Sequence, residues 1–319
     1  MGKALFFDVD GTLVNFQGKM PASARTALKK AQQNGHQIVL CSGRSKIQIY
    51  PWLMELGFDG IIAATGAYVE CGGKVLHRHF MTGEELRTIT ALLNEADACY
   101  SAQAGTRMIT SAKHRERQIA RFKRLSDDEM IEQIWQHIEL ADDLAQYEDI
   151  EKLVYYESKM TVQQIRERLS GVCDVTESSF EEAIDDSGEI TCSGIHKAFG
   201  MQKYIAYAGI SQKDTVAFGD GPNDFDMIEY AGIGVAMGNA VEALKRRADF
   251  VTKGIDEDGV AYAMEELGLI RKKVPHKNGV YITGLPYMFL AVPFCHAAVV
   301  RREFLIPARW TVRHLSARL

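Results

Sequence analysis

At 319 residues, with 46% hydrophobic and 25% charged side chains, the chain suits a soluble globular protein of about two domains and excludes wholesale disorder or a polytopic membrane protein. The formal charge of -5 is unevenly spread: residues 276–319 hold six Lys or Arg against the single acid Glu303, which leaves residues 1–275 at -10. A body that acidic excludes a general nucleic-acid binder, which needs basic surface to displace phosphate counterions.

Six cysteines (Cys41, Cys71, Cys99, Cys173, Cys192 and Cys295) contain no C-x-x-C pair, so neither a zinc cluster nor a dense disulfide framework is expected. The apolar run that follows Lys3 is too short for a signal peptide, and a cytoplasmic address is the expectation.

In chain order, residues 3–7 read as a short buried strand ending at Asp8, and 23–34 as a helix stopped by Gly35. A strand over 36–41, a helix over 46–56 that carries Pro51, and a strand over 60–64 continue the alternation, which signals a parallel sheet covered by helices. A hairpin is expected next, 68–70 and 74–77, turning at Gly72-Gly73. Residues 82–187 break the rhythm with two long helical stretches, a strand over 153–157 and a helix over 161–169, and read as an inserted α+β domain. The alternation then resumes with a helix over 196–207, a strand over 215–218, a helix over 224–230, a strand over 233–236, and helices over 240–247 and 260–267. The division is therefore a discontinuous catalytic core over 1–81 and 188–271, an inserted domain over 82–187, and a C-terminal extension over 272–319.

Asp8-Val9-Asp10-Gly11-Thr12 falls where the first strand ends, the side of an open parallel sheet on which ligands bind. A turn permitted by Gly11 can aim Asp8 at a ligand and leave Asp10 beside it, one as nucleophile and one as proton donor. Alone, Asp-Gly also marks an ordinary turn. Ser42-Gly43-Arg44 closes the second strand and offers a hydroxyl and a backbone N–H to a phosphate oxygen, or else a helix N-cap. Gly219-Asp220-Gly221-Pro222-Asn223-Asp224 ends a later strand with carboxylates four apart, suited to a hard cation such as Mg²⁺. Lys197 opens the helix before that strand and would bring a cation to the same crevice.

In this order, D-x-D-G-T, S-G-R, a lysine and G-D-x-x-N-D resemble the haloacid dehalogenase superfamily, specifically its Cof-type sugar-phosphatase branch. Ala236-Met237-Gly238-Asn239-Ala240 resembles that branch too, and the likeness covers roughly residues 3–270. It implies an α/β fold, a Rossmann-like parallel-sheet core with an inserted α+β cap of the C2 type. The spacing agrees, since the 155 positions between Ser42 and Lys197 have room for a cap and the 34 between Asp8 and Ser42 do not.

The resemblance further implies that Asp8 attacks phosphorus to form an aspartyl phosphate and that Asp10 moves the protons. Mg²⁺ would be held by Asp8, Asp220 and the Asp10 carbonyl. Val9 and Gly43 N–H, Ser42, Lys197 and Asn223 would contact the phosphoryl oxygens, with Arg44 and Asp224 in support. The expected partner is a small phosphomonoester such as a sugar phosphate. A phosphosugar mutase and a non-catalytic phosphometabolite sensor are the alternatives; phosphate release separates the first, and the intact nucleophile set speaks against the second. Thr65-Gly66-Ala67 departs from the branch's frequent Asn-Gly-Ala.

A basic cluster over 113–124 reads as a solvated helix face, and His77, His79 and His114 receive no role. Residues 279–300 lack Asp, Glu, Lys and Arg, but Pro286, Pro293 and His296 interrupt them, so packing against the body, or poor order, is expected ahead of membrane insertion.

Overall fold

Fourteen strands in two sheets organise residues 2–125, 138–178 and 186–271, the residues described in this computed structural model. In chain order the strands of the first sheet are β1 (Ala4–Phe7), β2 (Gln37–Cys41), β3 (Gly60–Ala63), β4 (Tyr68–Cys71) and β5 (Lys74–Arg78). The second sheet is built from β6 (Cys99–Ala104), β7 (Met108–Thr110), β8 (Ile138–Leu140), β9 (Ile150–Tyr156), β10 (Cys173–Glu177) and β11 (Gly188–Cys192). The chain then returns to the first with β12 (Thr215–Gly219), β13 (Ile233–Ala236) and β14 (Phe250–Val251).

The first sheet has the order β14-β13-β12-β1-β2-β3-β4-β5, parallel from β14 to β3 and closed by the antiparallel hairpin β4-β5. Every residue of β1 is buried, as befits a parallel strand covered by helices on both faces. Helix Ala22–Gln33 supplies part of that cover through Ala24, Ala27, Leu28 and Ala31, a single stripe at helical spacing. Chain connections leave β1 towards β2 on one side and return through β12 on the other, so the carboxyl end of β1 lies at the crevice where the strand order reverses. Phe7 and Phe218, paired in register, stack with centroids 4.6 Å apart, and Asp8 N–H donates to the Phe218 carbonyl. The ends of β1 and β12 are thereby locked side by side.

The second sheet runs β10-β11-β9-β6-β7-β8, antiparallel apart from the β7-β8 pair. One of its faces packs a separate hydrophobic cluster, including Leu153, Tyr155, Ile190, Leu86 and Ile165, against helices Gly83–Glu95 and Val162–Arg168. Both sheets belong to one compact unit, Met1–Lys273.

Three expectations need correction. The helix over 46–56 is broken into a turn at Lys46–Gln48 and a short helix at Pro51–Met54, because proline restricts the residue before it and Tyr50 is extended, at ψ 125. The helix over 240–247 shrinks to Glu242–Lys245. Residues 188–192, expected with the catalytic core, form β11 and pair with β9 and β10 in the second sheet. The extension over 272–319, with its apolar run 279–300, lies outside the described residues, among which no helix is long and apolar enough to cross a membrane.

Candidate active site

The carboxyl ends of four neighbouring parallel strands converge. Asp8 follows β1, Asp220 follows β12, Ser42 follows β2, and Ala64-Thr65 follow β3. Lys197 opens the helix Lys197–Ala208 and is wholly buried. Its Nζ donates to Asp8 Oδ1 at 2.6 Å, to Asp224 Oδ1 at 2.5 Å and to Asn223 Oδ1 at 3.4 Å. A buried ammonium survives only when paired, and two carboxylates hold its pKa above the ordinary lysine range against the opposing effect of burial.

Burial is the largest influence on Asp8 and drives its carboxyl well above the usual range; Lys197 pulls it back, while Asp224, Asp220 and Asp10 push it further up. Asp220, half-buried and close to Asp224, is pushed up to about 7 by desolvation and then by Asp224, although Thr12 Oγ1 donates to it at 2.8 Å. Asp8, Asp220 and Asp224 bring carboxylate oxygens within 4.8 Å of one another. Crowded, desolvated carboxylates served by one lysine make a favourable place for a further cation, and an all-oxygen donor set suits a hard one. The second oxygen of Asp224 already accepts from the N–H groups of Asp220 and Gly221, both at 2.9 Å. Asp224 is thus committed to Lys197 and its own loop, and Asp8 and Asp220 remain the better ligands.

Asp10 is turned elsewhere: Arg44 grips it with two bonds, Nε to Oδ2 at 2.7 Å and Nη2 to Oδ1 at 2.8 Å. Arg44 in turn reaches the Gln48 carbonyl and stacks its guanidinium over Tyr50, 4.7 Å from the ring centroid. Burial opposes that charge, but the Asp10 pairing prevails and raises the Arg44 pKa. The N–H of Arg44 donates to Ser42 Oγ at 3.1 Å, so the S-G-R loop folds on its own serine, and Ser42 caps no helix.

Glycine is required at Gly11, where φ is +83° and a Cβ would lie 2.0 Å from Asp220 Oδ2. Asn239 bridges the same turn, donating to the Gly11 carbonyl at 2.8 Å and accepting from Ile255 N–H at 2.9 Å. Of the residues singled out from the sequence, Asp8, Lys197, Asp220, Asn223 and Asp224 form one cluster, and Asp10, Arg44 and Ser42 form a second around the S-G-R loop. Gly43 joins the two, since a Cβ on it would meet Asn223 Nδ2 at 2.9 Å. Val9 is a buried core residue whose carbonyl accepts from Leu13 and Val14 N–H.

Sequence reasoning missed Lys152 and Glu189, which the second sheet brings to Gly43. The available signal was a charged residue flanked by apolar ones, Lys152 before Leu153-Val154 and Glu189 before Ile190.

The family model for haloacid dehalogenase-like hydrolases matches residues 5–264. The chain is 34% identical over 277 residues to "Putative phosphatase YkrA" of Bacillus subtilis (strain 168), covering 84% of this chain and 99% of that one. It is 29% identical to 5-amino-6-(5-phospho-D-ribitylamino)uracil phosphatase YwtE of the same organism, over 83% of this chain and 98% of the relative. Among solved structures, a HAD subclass IIB sugar phosphatase superposes with a TM-score of 0.69 at 28% identity, covering 84% of this chain and all of that one.

Proposed function

Because the chain belongs to the haloacid dehalogenase-like hydrolase family and is one of its phosphatases, we propose that it hydrolyses small phosphomonoesters, sugar phosphates or close analogues, with Mg²⁺ through a phosphoryl group carried on Asp8. The observation that carries this reading is the Lys197 ammonium seated between Asp8 and Asp224 with Asp220 alongside. Pure binding of a phosphate anion gains nothing from three carboxylates in its path, whereas a nucleophile and a metal ligand require them. The sugar class rests on the HAD subclass IIB relative.

In this mechanism an Asp8 oxygen attacks phosphorus in line as the bond to the leaving oxygen breaks. Asp10 gives that oxygen a proton, and in the second step takes one from the water that cleaves the Asp8–phosphorus bond. Arg44 fixes the Asp10 carboxyl in orientation through its two-bond grip. Lys197 neutralises charge beside Asp8, and Ser42, Asn223 and the N–H groups of Val9 and Gly43 serve the phosphoryl oxygens. Asp8, Asp220 and the Asp10 carbonyl would hold the divalent ion, which when bound offsets the repulsion between the carboxylates and the phosphate.

Phosphate release from a panel of sugar phosphates, nucleotides and cofactor phosphates, with and without Mg²⁺, tests the reading. Metal-dependent turnover that falls more than roughly a thousandfold in Asp8→Asn is expected. Phosphoryl transfer to a second sugar without free phosphate would point to a mutase, and no turnover by folded protein to a sensor.

A further inference from the structure

Lys152 lies on β9 and Glu189 on β11, in the second sheet, yet their side chains end at the loop that follows β2 of the first. Lys152 Nζ donates to the Gly43 carbonyl at 2.7 Å and to Glu189 Oε2 at 2.6 Å. The two side chains are 1% and 5% exposed. Glu189 stands opposite Val154 and Lys152 opposite Thr191, so the pair is diagonal across two adjacent strands on the same face. A buried ion pair of this kind adds little to stability, because desolvation offsets most of the Coulomb gain. Its reason is better sought in what it touches.

The Gly43 carbonyl belongs to the same peptide as the Arg44 N–H, which donates to Ser42 Oγ, and the Arg44 side chain holds Asp10. One ammonium from the second sheet thus anchors the peptide from which both the serine and the proton-carrying carboxylate are arranged. The setting is tight: a Cβ on Gly43 would lie 2.9 Å from Asn223 Nδ2, 3.5 Å from Glu189 Oε2 and 3.7 Å from Thr65 Oγ1. Three chain segments besides Lys152 therefore converge on one glycine. A lysine on its carbonyl fixes the peptide plane there and strengthens, through the polarised amide, the bond from Arg44 N–H to Ser42.

We propose that Lys152, held in place by Glu189, is a positioning residue for the phosphoryl-binding loop Ser42-Gly43-Arg44, so that the loop is set for catalysis only while the second sheet is seated on it. The inference rests on the phosphatase reading above. Because the loop serves the phosphoryl group, which every substrate shares, the effect is independent of the leaving group.

The test compares wild type with Lys152→Met and with the double variant Lys152→Met/Glu189→Met, which leaves no lone buried charge and so preserves the fold. Both are expected to lose roughly 100-fold in kcat/KM, by one common factor for p-nitrophenyl phosphate and for a sugar phosphate that wild type hydrolyses. The loss falls mainly in kcat, and inhibition by inorganic phosphate weakens in parallel. Undiminished kcat/KM in the folded double variant overturns the proposal, as does a loss confined to one leaving group, which would make the pair a specificity contact. If wild type releases no phosphate from any ester, the phosphatase reading falls instead. The positioning claim is then decided by hydrogen exchange of the Arg44 amide, which should quicken in the double variant and overturns the claim if it does not.

Discussion

Glu151 is fully buried on β9, neither of its oxygens has a hydrogen-bond partner among the described residues, and desolvation pushes its carboxyl up to about 7 against the pull of Arg78. In the unfolded chain it ionises near its ordinary value of 4.5. A raised native pKa means that stability is complete below that lower value and is lost as pH rises through the upper one, an effect on the order of 3 kcal/mol. Melting temperature should therefore fall between about pH 5 and about pH 8, and Glu151→Gln should flatten the fall; equal slopes in both proteins would show that Glu151 is not its source. Thr65 is a second residue under tension, with φ 57° following Ala64 at 48°, both in the left-handed region that costs side-chain-bearing residues about 1–2 kcal/mol. Its Oγ1 is buried with no hydrogen-bond partner among the described residues. Asparagine tolerates that conformation, so Thr65→Asn should raise the unfolding free energy by about 1 kcal/mol in urea titrations.

At the scale of elements, the site depends on how β1 and β12 end. The Phe7–Phe218 stack and the Asp8 N–H bond to Phe218 hold the two strand ends in register, and the turn at Gly11 then passes under Asp220. Gly11→Ala forces a side chain against the Asp220 carboxylate and into positive φ at once. Loss of Mg²⁺-dependent turnover together with a lower melting temperature is the expected outcome, and a fully active, undiminished Gly11→Ala protein would mean the turn is not needed. Most strands of the first sheet were legible because period and punctuation agree there: apolar runs of four or five residues stop at Asp, Gly, Ser or Thr. The second sheet was largely illegible. β6 and β11 read Cys-Tyr-Ser-Ala-Gln-Ala and Gly-Glu-Ile-Thr-Cys, polar at alternate positions that the structure buries. A buried polar face breaks the apolar-in, polar-out signal on which strand reading relies.

Over the whole molecule, the clustered carboxylates Asp8, Asp220 and Asp224 come from segments far apart in the chain, and assembling them costs electrostatic energy that a cation bound among them would return. A divalent ion that binds only the folded state stabilises it by about 2.7 kcal/mol at a hundredfold excess over Kd. Thermal melts should therefore rise with Mg²⁺ and return to the metal-free value on chelation. Asp220→Asn, which removes one of three crowded like charges, should raise the metal-free melting temperature and abolish the Mg²⁺ increment. A Mg²⁺ increment that survives in Asp220→Asn would take Asp220 out of the metal site.

By itself the sequence determined the parallel sheet, the order of its motifs and the place of Asp8, Asp220 and Lys197, because a short motif at the end of a strand carries its position with it. Tertiary structure alone decided that Arg44 takes Asp10, that Asp224 is spent on Lys197 and two loop amides, that residues 188–192 belong to the second sheet, and that Lys152 and Glu189 meet Gly43. Each of these is a contact between segments separated in the chain or a choice among several charged partners. Local patterning fixes which face a side chain takes; which opposite charge it then meets is settled only when segments distant in the chain are packed together.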